Sequence, residues 1–228
     1  MKKTIISSLL LLLNLVLYAQ EEDRIVVKRG TSLLDYFSLE ERYLYPEFTQ
    51  GIVLFKTGVF TERKFNYNYL NGEIEFLQNL DTLIIANKND IEIVIIAEDT
   101  LYYDNGYILQ LKSGYPKIGL KEEIEFSEFL KDDGYGPSGS TSSRVSFNTM
   151  ASDGQAYKLK VNDDMVYKRT KIFYMSSEQN NFILLNKKNV YKLFPDDKNA
   201  IKSYLKANKT KFDSEEDLIK LWEYLQKL

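Results

Sequence analysis

Five glutamates on strand-like segments are the residues of this sequence whose types and spacing could do chemistry: Glu73, Glu75, Glu92, Glu123 and Glu125. Two carboxyl groups hydrolyse a glycosidic bond without histidine or cysteine when they lie about 5–10 Å apart in a cleft. Alternating glutamates are more often the solvent-exposed face of a strand, and no second feature singles out a pair. We therefore predict that the protein is not an enzyme, and we keep a carboxylate-based glycan hydrolase as the less favoured alternative.

Two missing residue types exclude many other chemistries. The sequence contains no cysteine and no histidine. A disulfide, a thiol nucleophile, a Ser-His-Asp triad and an ordinary zinc site are therefore excluded. We predict no cofactor and no metal site. Some aspartates could gather around calcium, but their spacing does not match a calcium-binding loop; they are Asp132, Asp133, Asp153, Asp163 and Asp164.

One segment rich in glycine and serine is the best candidate for a partner-binding loop. GYGPSGST, residues 134–141, has the glycine spacing of a phosphate-binding loop, but Ser140 stands where that motif needs lysine. Small residues let the backbone approach a partner closely, and long loops often carry function. A disordered connector is the alternative. The candidate residues are Asp132, Asp133, Gly134, Tyr135, Gly136, Ser138 and Arg144.

The N-terminus has the pattern of a secretory signal peptide. Lys2 and Lys3 precede an apolar run over residues 5–17. Tyr18 and Ala19 follow the run and end in the small residue that a cleavage site needs. We predict cleavage after Ala19 and a place in the periplasm, in the cell envelope or outside the cell. The remaining chain has a net charge of −5 and no further span-length apolar run. We therefore expect no transmembrane span in the mature chain and no nucleic-acid partner.

The elements that must position these residues divide the chain into five parts. They are a signal peptide (1–19), an arm with a short helix (20–45), a β-rich block (46–131), a Gly/Ser-rich loop or linker (132–143), and strands followed by a helical pair (144–228). In the arm, Ser38 and Glu41 form a capping box for a helix over residues 39–44.

Short apolar runs spaced by about ten residues predict antiparallel strands. They cover residues 51–55, 81–86, 91–97, 106–111, 156–161, 171–175, 181–185 and 189–194. At the C-terminus, one amphipathic helix is predicted after Pro195 and another after Ser214. The fold class is therefore α+β, mainly an antiparallel sandwich or open barrel with two C-terminal amphipathic helices.

The stretch KFNYNYLNGEIEF, residues 64–76, predicts a hairpin with an aromatic face. Asn71 and Gly72 suit a two-residue type I′ turn, which pairs Tyr69 with Ile74 and Tyr67 with Phe76. Alternation of this kind is typical of a half-buried strand. We predict that the rings belong to the core and not to a ligand platform.

The sequence resembles a group of uncharacterised secreted proteins from Bacteroidota. The resemblance is carried by the leader ending in YAQ, by GIVLFKTG, YNYLNGEIEF, DTLIIA and IEIVII in the strand-rich block, by GYILQL, and by the tail from NFILLNKKNVYKLF to EEDLIKLWEYL. It implies location and architecture, namely a strand-rich exported domain with a C-terminal helical pair, and it implies no chemistry.

These observations predict an exported, non-catalytic, envelope-associated protein that binds or interacts with an unknown partner. The partner would be an envelope protein or an apolar small molecule. The alternative is a periplasmic carrier of a lipid-like ligand, for which Tyr67, Tyr69 and Phe76 would have to line an open cavity.

Overall fold

The computed structural model describes residues 24–79, 81–130, 163–176 and 181–228. The strands are β1 (Ile25–Val27), β2 (Thr49–Phe55), β3 (Phe60–Asn68), β4 (Glu73–Gln78), β5 (Asp81–Ile84), β6 (Ile91–Ile96), β7 (Asp99–Tyr103), β8 (Tyr107–Lys112), β9 (Ile118–Leu130), β10 (Asp164–Ser176) and β11 (Phe182–Leu184). The helices are α1 (Leu33–Tyr36), α2 (Leu39–Arg42), α3 (Lys187–Leu193), α4 (Lys198–Asn208) and α5 (Glu215–Leu225). The predicted leader, the predicted strand at 156–161 and all seven residues of the candidate partner loop lie outside the described residues.

The described strands form one large open antiparallel sheet. Its order is β1-β10-β9-β8-β7-β6-β2-β3-β4-β5, and β11 pairs with one end of β10. The long strands β9 and β10 pair over most of their length. The sheet therefore contains strands from both sides of the Gly/Ser-rich segment. The mainly antiparallel class is confirmed. None of the described helices has the length and apolar character to cross a membrane.

The register of the β3–β4 hairpin differs by two residues from the prediction. Tyr67 pairs with Ile74, and Phe65 pairs with Phe76. The connection is a four-residue loop closed by a 2.9 Å hydrogen bond from the Gly72 N–H to the Asn68 carbonyl oxygen. The Asn68 side chain accepts a bond from the Leu70 N–H inside this loop. Because side-chain oxygens satisfy loop amides, the longer loop replaces the two-residue turn.

The aromatic face of β3 belongs to the core, as predicted. Phe65, Tyr67 and Tyr69 are 2%, 4% and 9% exposed. The Tyr67 hydroxyl donates to the Glu122 carbonyl oxygen at 3.0 Å, and the Ile124 N–H donates to the Tyr69 carbonyl oxygen at 2.7 Å. Four strands separate β3 from β9 in the sheet order. These contacts therefore require a sheet that curls around its own apolar face.

A second core lies between the sheet and the C-terminal helices. Its sheet side includes Leu120 and Phe173, and its helix side includes Ile201, Leu218 and Leu221. The two predicted helices are confirmed as α4 and α5. Both have apolar faces that would be exposed without the sheet, so packing on β9 and β10 stabilises them.

The predicted strand over residues 189–194 is wrong, because this segment lies in helix α3 and its C-cap. The Asn186 side chain accepts a 2.9 Å bond from the Asn189 N–H and begins the helix. Val190 and Phe194 are four residues apart and pack into the second core. A six-residue apolar pattern fits both a helix and a strand, and a neighbouring apolar surface decides between them.

Two short helices lie between β1 and β2 in the chain. The predicted capping box is confirmed: the Glu41 N–H donates to the Ser38 hydroxyl at 3.3 Å, and the Ser38 N–H donates to the Glu41 carboxylate at 2.8 Å. Helix α2 ends at Arg42, two residues before the predicted end. Helix α1, capped by Ser32, was not predicted from the sequence.

Candidate functional site

The five candidate glutamates have two different environments. Glu92 and Glu125 are exposed, as expected for a solvent-facing strand. Glu73 and Glu75 are 8% and 6% exposed, so the expectation of a solvent-exposed face was wrong for both. Glu123 is partly buried. For Glu75 the reason is the N-terminal segment, because Tyr43 forms a bridge with Asn68 and its hydroxyl contacts the Glu75 carboxylate.

Glu75 is the acceptor of a polar network. It accepts hydrogen bonds from the Tyr43 hydroxyl at 2.7 Å, from the Asn68 amide at 2.9 Å and from the Asn71 amide at 2.8 Å. The neighbouring Asn66 amide donates to the Tyr45 carbonyl oxygen at 2.8 Å. A buried carboxylate needs such donors. This network fixes the hairpin loop to the segment after α2.

Glu73 and Glu123 are two carboxyl groups of this region that pair with lysines. Burial raises the pKa of Glu73, and the ion pair with Lys88 opposes that effect. Burial also raises the pKa of Glu123, which pairs with Lys121 at 3.1 Å. The Glu123 carboxylate lies against Gly72, next to Glu73 in the chain.

The cavity that Tyr67 and Tyr69 line is too small for a substrate. A small cavity lined by Tyr67, Tyr69, Tyr107 and Glu122 has a volume of only about 10 Å³. That is room for about one water molecule. The same volume means that Tyr67 and Tyr69 face a filled interior and not a ligand cavity.

An open groove lies at the other end of the same sheet face, between β2 and β5. Its volume is about 330 Å³. Val53, Phe65 and Ile85 form a buried apolar floor that belongs to the first core. Phe55 and Phe76 are partly buried and continue that floor toward solvent. The carrier hypothesis required Tyr67, Tyr69 and Phe76 to line an open cavity. Of these three, Phe76 lines this open groove.

Polar residues surround the apolar floor of this groove. They are Thr61, Arg63, Gln78 and Asn87. Arg63 is exposed and donates one hydrogen bond to the Glu62 carbonyl oxygen at 2.8 Å. The sequence contains a signal for this arrangement, because Thr61, Arg63 and Phe65 alternate on one face of β3 and change from polar to apolar.

The described residues contain no group of three acidic side chains that could hold a metal ion. Of the aspartates considered for calcium, Asp164 pairs with Lys28 at 2.6 Å and accepts a 2.8 Å bond from the Arg29 N–H. The backbone hydrogen bond and the Lys28 bond lower the pKa of Asp164. This aspartate attaches the N-terminal segment to β10.

No protein-family model, curated protein or solved structure matches this chain. The resemblance to secreted proteins of Bacteroidota therefore stays a prediction.

Proposed function

We propose that the protein is an exported, non-catalytic binding protein of the cell envelope, and that the groove between β2 and β5 binds a small amphipathic ligand. The ligand would have an apolar body and an anionic head group, as in a medium-chain fatty acid. The observation that carries this proposal is the groove itself, with its apolar floor beside Arg63.

The size and lining of the groove support a small ligand. Its volume of about 330 Å³ is at the lower end of the range of ligand sites, about 300–1,000 Å³. Phe55, Phe76 and Ile84 offer apolar surface to an acyl chain. The curl of the sheet, which leaves this end open, favours the open barrel over the sandwich among the two expected architectures.

Arg63 supports an anionic head group. Its guanidinium group makes a single hydrogen bond among the described residues, to the Glu62 carbonyl oxygen. A guanidinium group binds a carboxylate with two parallel hydrogen bonds, which are stronger than neutral ones. A ligand that places its acyl chain on Phe76 can therefore place its carboxylate at the Arg63 end of the groove.

The hydrolase alternative has less support. Its best carboxyl groups, Glu73 and Glu123, are paired with lysines beside a filled interior. The groove lining contains no carboxylate. A binding function needs neither a free pair of carboxyl groups nor a carboxylate in the groove. We therefore retain the non-catalytic proposal.

The test is calorimetric titration of the protein with decanoate and with decanol. We expect decanoate to bind more tightly than decanol. Arg63→Gln should lower the affinity for decanoate by about tenfold or more, since hydrogen bonds to charged groups contribute about 1.5–3 kcal/mol. The affinity for decanol should change much less in Arg63→Gln. Thr61→Trp, which places a large ring in the groove, should weaken both ligands.

Lys64→Gln is the matched control for Arg63→Gln. Lys64 is exposed, is the next residue of β3 and points to the opposite face. Binding of decanoate that is unchanged by both Arg63→Gln and Thr61→Trp would contradict the proposed site. Native mass spectrometry of the gently purified protein then identifies any ligand that copurifies.

A further inference from the structure

Helices α3 and α4 carry a local excess of positive charge that the net charge of the chain conceals. Residues 187–211 contain eight lysines and two aspartates, whereas the whole chain has a net charge of −3. Four of these lysines surround the Tyr191 ring in a shallow groove of about 570 Å³. We name them the lysine surface: Lys187, Lys188, Lys192 and Lys198.

The lysine surface has no charge partner within the part of the chain that the structure describes. Lys187 and Lys198 lie 5.9 Å and 5.8 Å from the centre of the Tyr191 ring. None of the four lysines takes part in an ion pair with a described residue, and all four are exposed. Four ammonium groups around one groove repel one another unless an anion lies among them.

The positive charge extends beyond this groove along α4. Lys198, Lys202 and Lys206 follow at intervals of four residues, so they share one face of the helix. All three are exposed. A single small anion would contact the groove only, whereas a broad anionic surface would contact the groove and this stripe together.

Exposed apolar side chains lie at both ends of α3. Leu184 is 48% exposed, and its carbonyl oxygen accepts a hydrogen bond from the Asn189 side chain near the helix start. Tyr115 is 41% exposed and contacts the Phe194 ring at the helix end. Lysines beside exposed apolar groups are the combination found on proteins that bind the membrane interface.

We propose that the lysine surface binds the head groups of anionic phospholipids and attaches the protein to a membrane surface. The chemistry is attraction between lysine ammonium groups and lipid phosphates, aided by insertion of Leu184 and Tyr115 between head groups. This site is separate from the groove between β2 and β5, so either proposal can fail without the other.

The test is cosedimentation of the purified protein, produced from its full sequence, with vesicles. We expect binding to vesicles that contain phosphatidylglycerol, little binding to phosphatidylcholine alone, and weaker binding at high salt. A lysine near an anionic surface contributes about 1 kcal/mol, or about fivefold in affinity. The variant with all four lysines of the lysine surface replaced by glutamine should therefore lose affinity for anionic vesicles by several hundredfold, about fivefold for each lysine.

A matched variant controls for total charge. It replaces four lysines that lie on strands or in a strand connection, namely Lys56, Lys64, Lys168 and Lys171, with glutamine. It should bind anionic vesicles within a few-fold of the unchanged protein. Equal losses in the two variants would overturn the proposal, as would failure of the unchanged protein to bind at low salt. Binding to DNA or to a sulfated polysaccharide without binding to vesicles would also overturn it, in favour of a polymeric anion.

Discussion

The Tyr43 hydroxyl donates a 2.7 Å hydrogen bond to the carboxylate of Glu75, 32 positions later in the chain. Tyr43 follows helix α2, and Glu75 lies on β4. This contact covers part of the polar face of the β3–β4 hairpin, and it makes Glu75, which looks solvent-exposed in the sequence, part of the interior.

Tyr43→Phe should lower the free energy of unfolding by about 1–3 kcal/mol, because it leaves a buried carboxylate with one donor fewer. Denaturant unfolding at neutral pH measures the change. Tyr36→Phe removes the same hydroxyl from a ring that is 41% exposed and should have almost no effect. Equal effects of the two substitutions would show that the Tyr43–Glu75 bond does not stabilise the fold.

Stability should fall as the pH rises above the ordinary glutamate pKa of 4.5. Burial raises the pKa of Glu73 and Glu123 in the folded state, so the folded protein binds more protons than the unfolded chain in that range. The contribution of these two carboxyl groups to the stability of the fold is complete below pH 4.5. It is lost as the pH rises through their pKa in the folded state.

Glu123→Gln should reduce this pH dependence. Thermal unfolding in a series of buffers measures it, and the difference between the variant and the unchanged protein should shrink in acid. Glu125→Gln, at an exposed position on the same strand, serves as the control. If Glu123→Gln leaves the slope of melting temperature against pH as it was, burial of Glu123 is not its cause.

Gly51→Ala should destabilise the sheet by about 1–3 kcal/mol or more, as expected for overpacking. A Cβ atom at this position would collide with the Ile95 carbonyl oxygen on β6 and lie 3.1 Å from the Phe65 ring. Gln50→Ala, one residue earlier and exposed, is the control. A variant as stable as the unchanged protein would mean that β2 and β6 are farther apart than the structure places them.

Unfolding of the helices and of the sheet should coincide. The chain has one tryptophan, Trp222, whose indole N–H donates to the Pro116 carbonyl oxygen at 2.8 Å and joins α5 to the loop before β9. Its fluorescence therefore reports helix docking, while far-ultraviolet circular dichroism reports the loss of helix and sheet together. Because the second core contains residues of both, the two transitions should have the same midpoint. A tryptophan transition at lower denaturant would show that the helices detach first.

Local patterns in the sequence determined much of the secondary structure. Asn/Asp/Gly turns between apolar runs predicted most described strands, and side-chain caps at Ser38 and Ser214 predicted two helices. These signals are local because a cap or a turn satisfies backbone groups within a few residues. The aromatic face of β3 was predicted as core from another local pattern, the alternation of aromatic and polar residues.

Only the tertiary structure decided the rest. Residues 189–194 form a helix because a second apolar surface, on β9 and β10, receives Val190 and Phe194. Glu75 is buried because the distant Tyr43 lies over it. The groove at Arg63 and the lysine surface around Tyr191 each combine residues from different elements. Burial and charge depend on which segments meet in space, and periodicity within one segment does not contain that information.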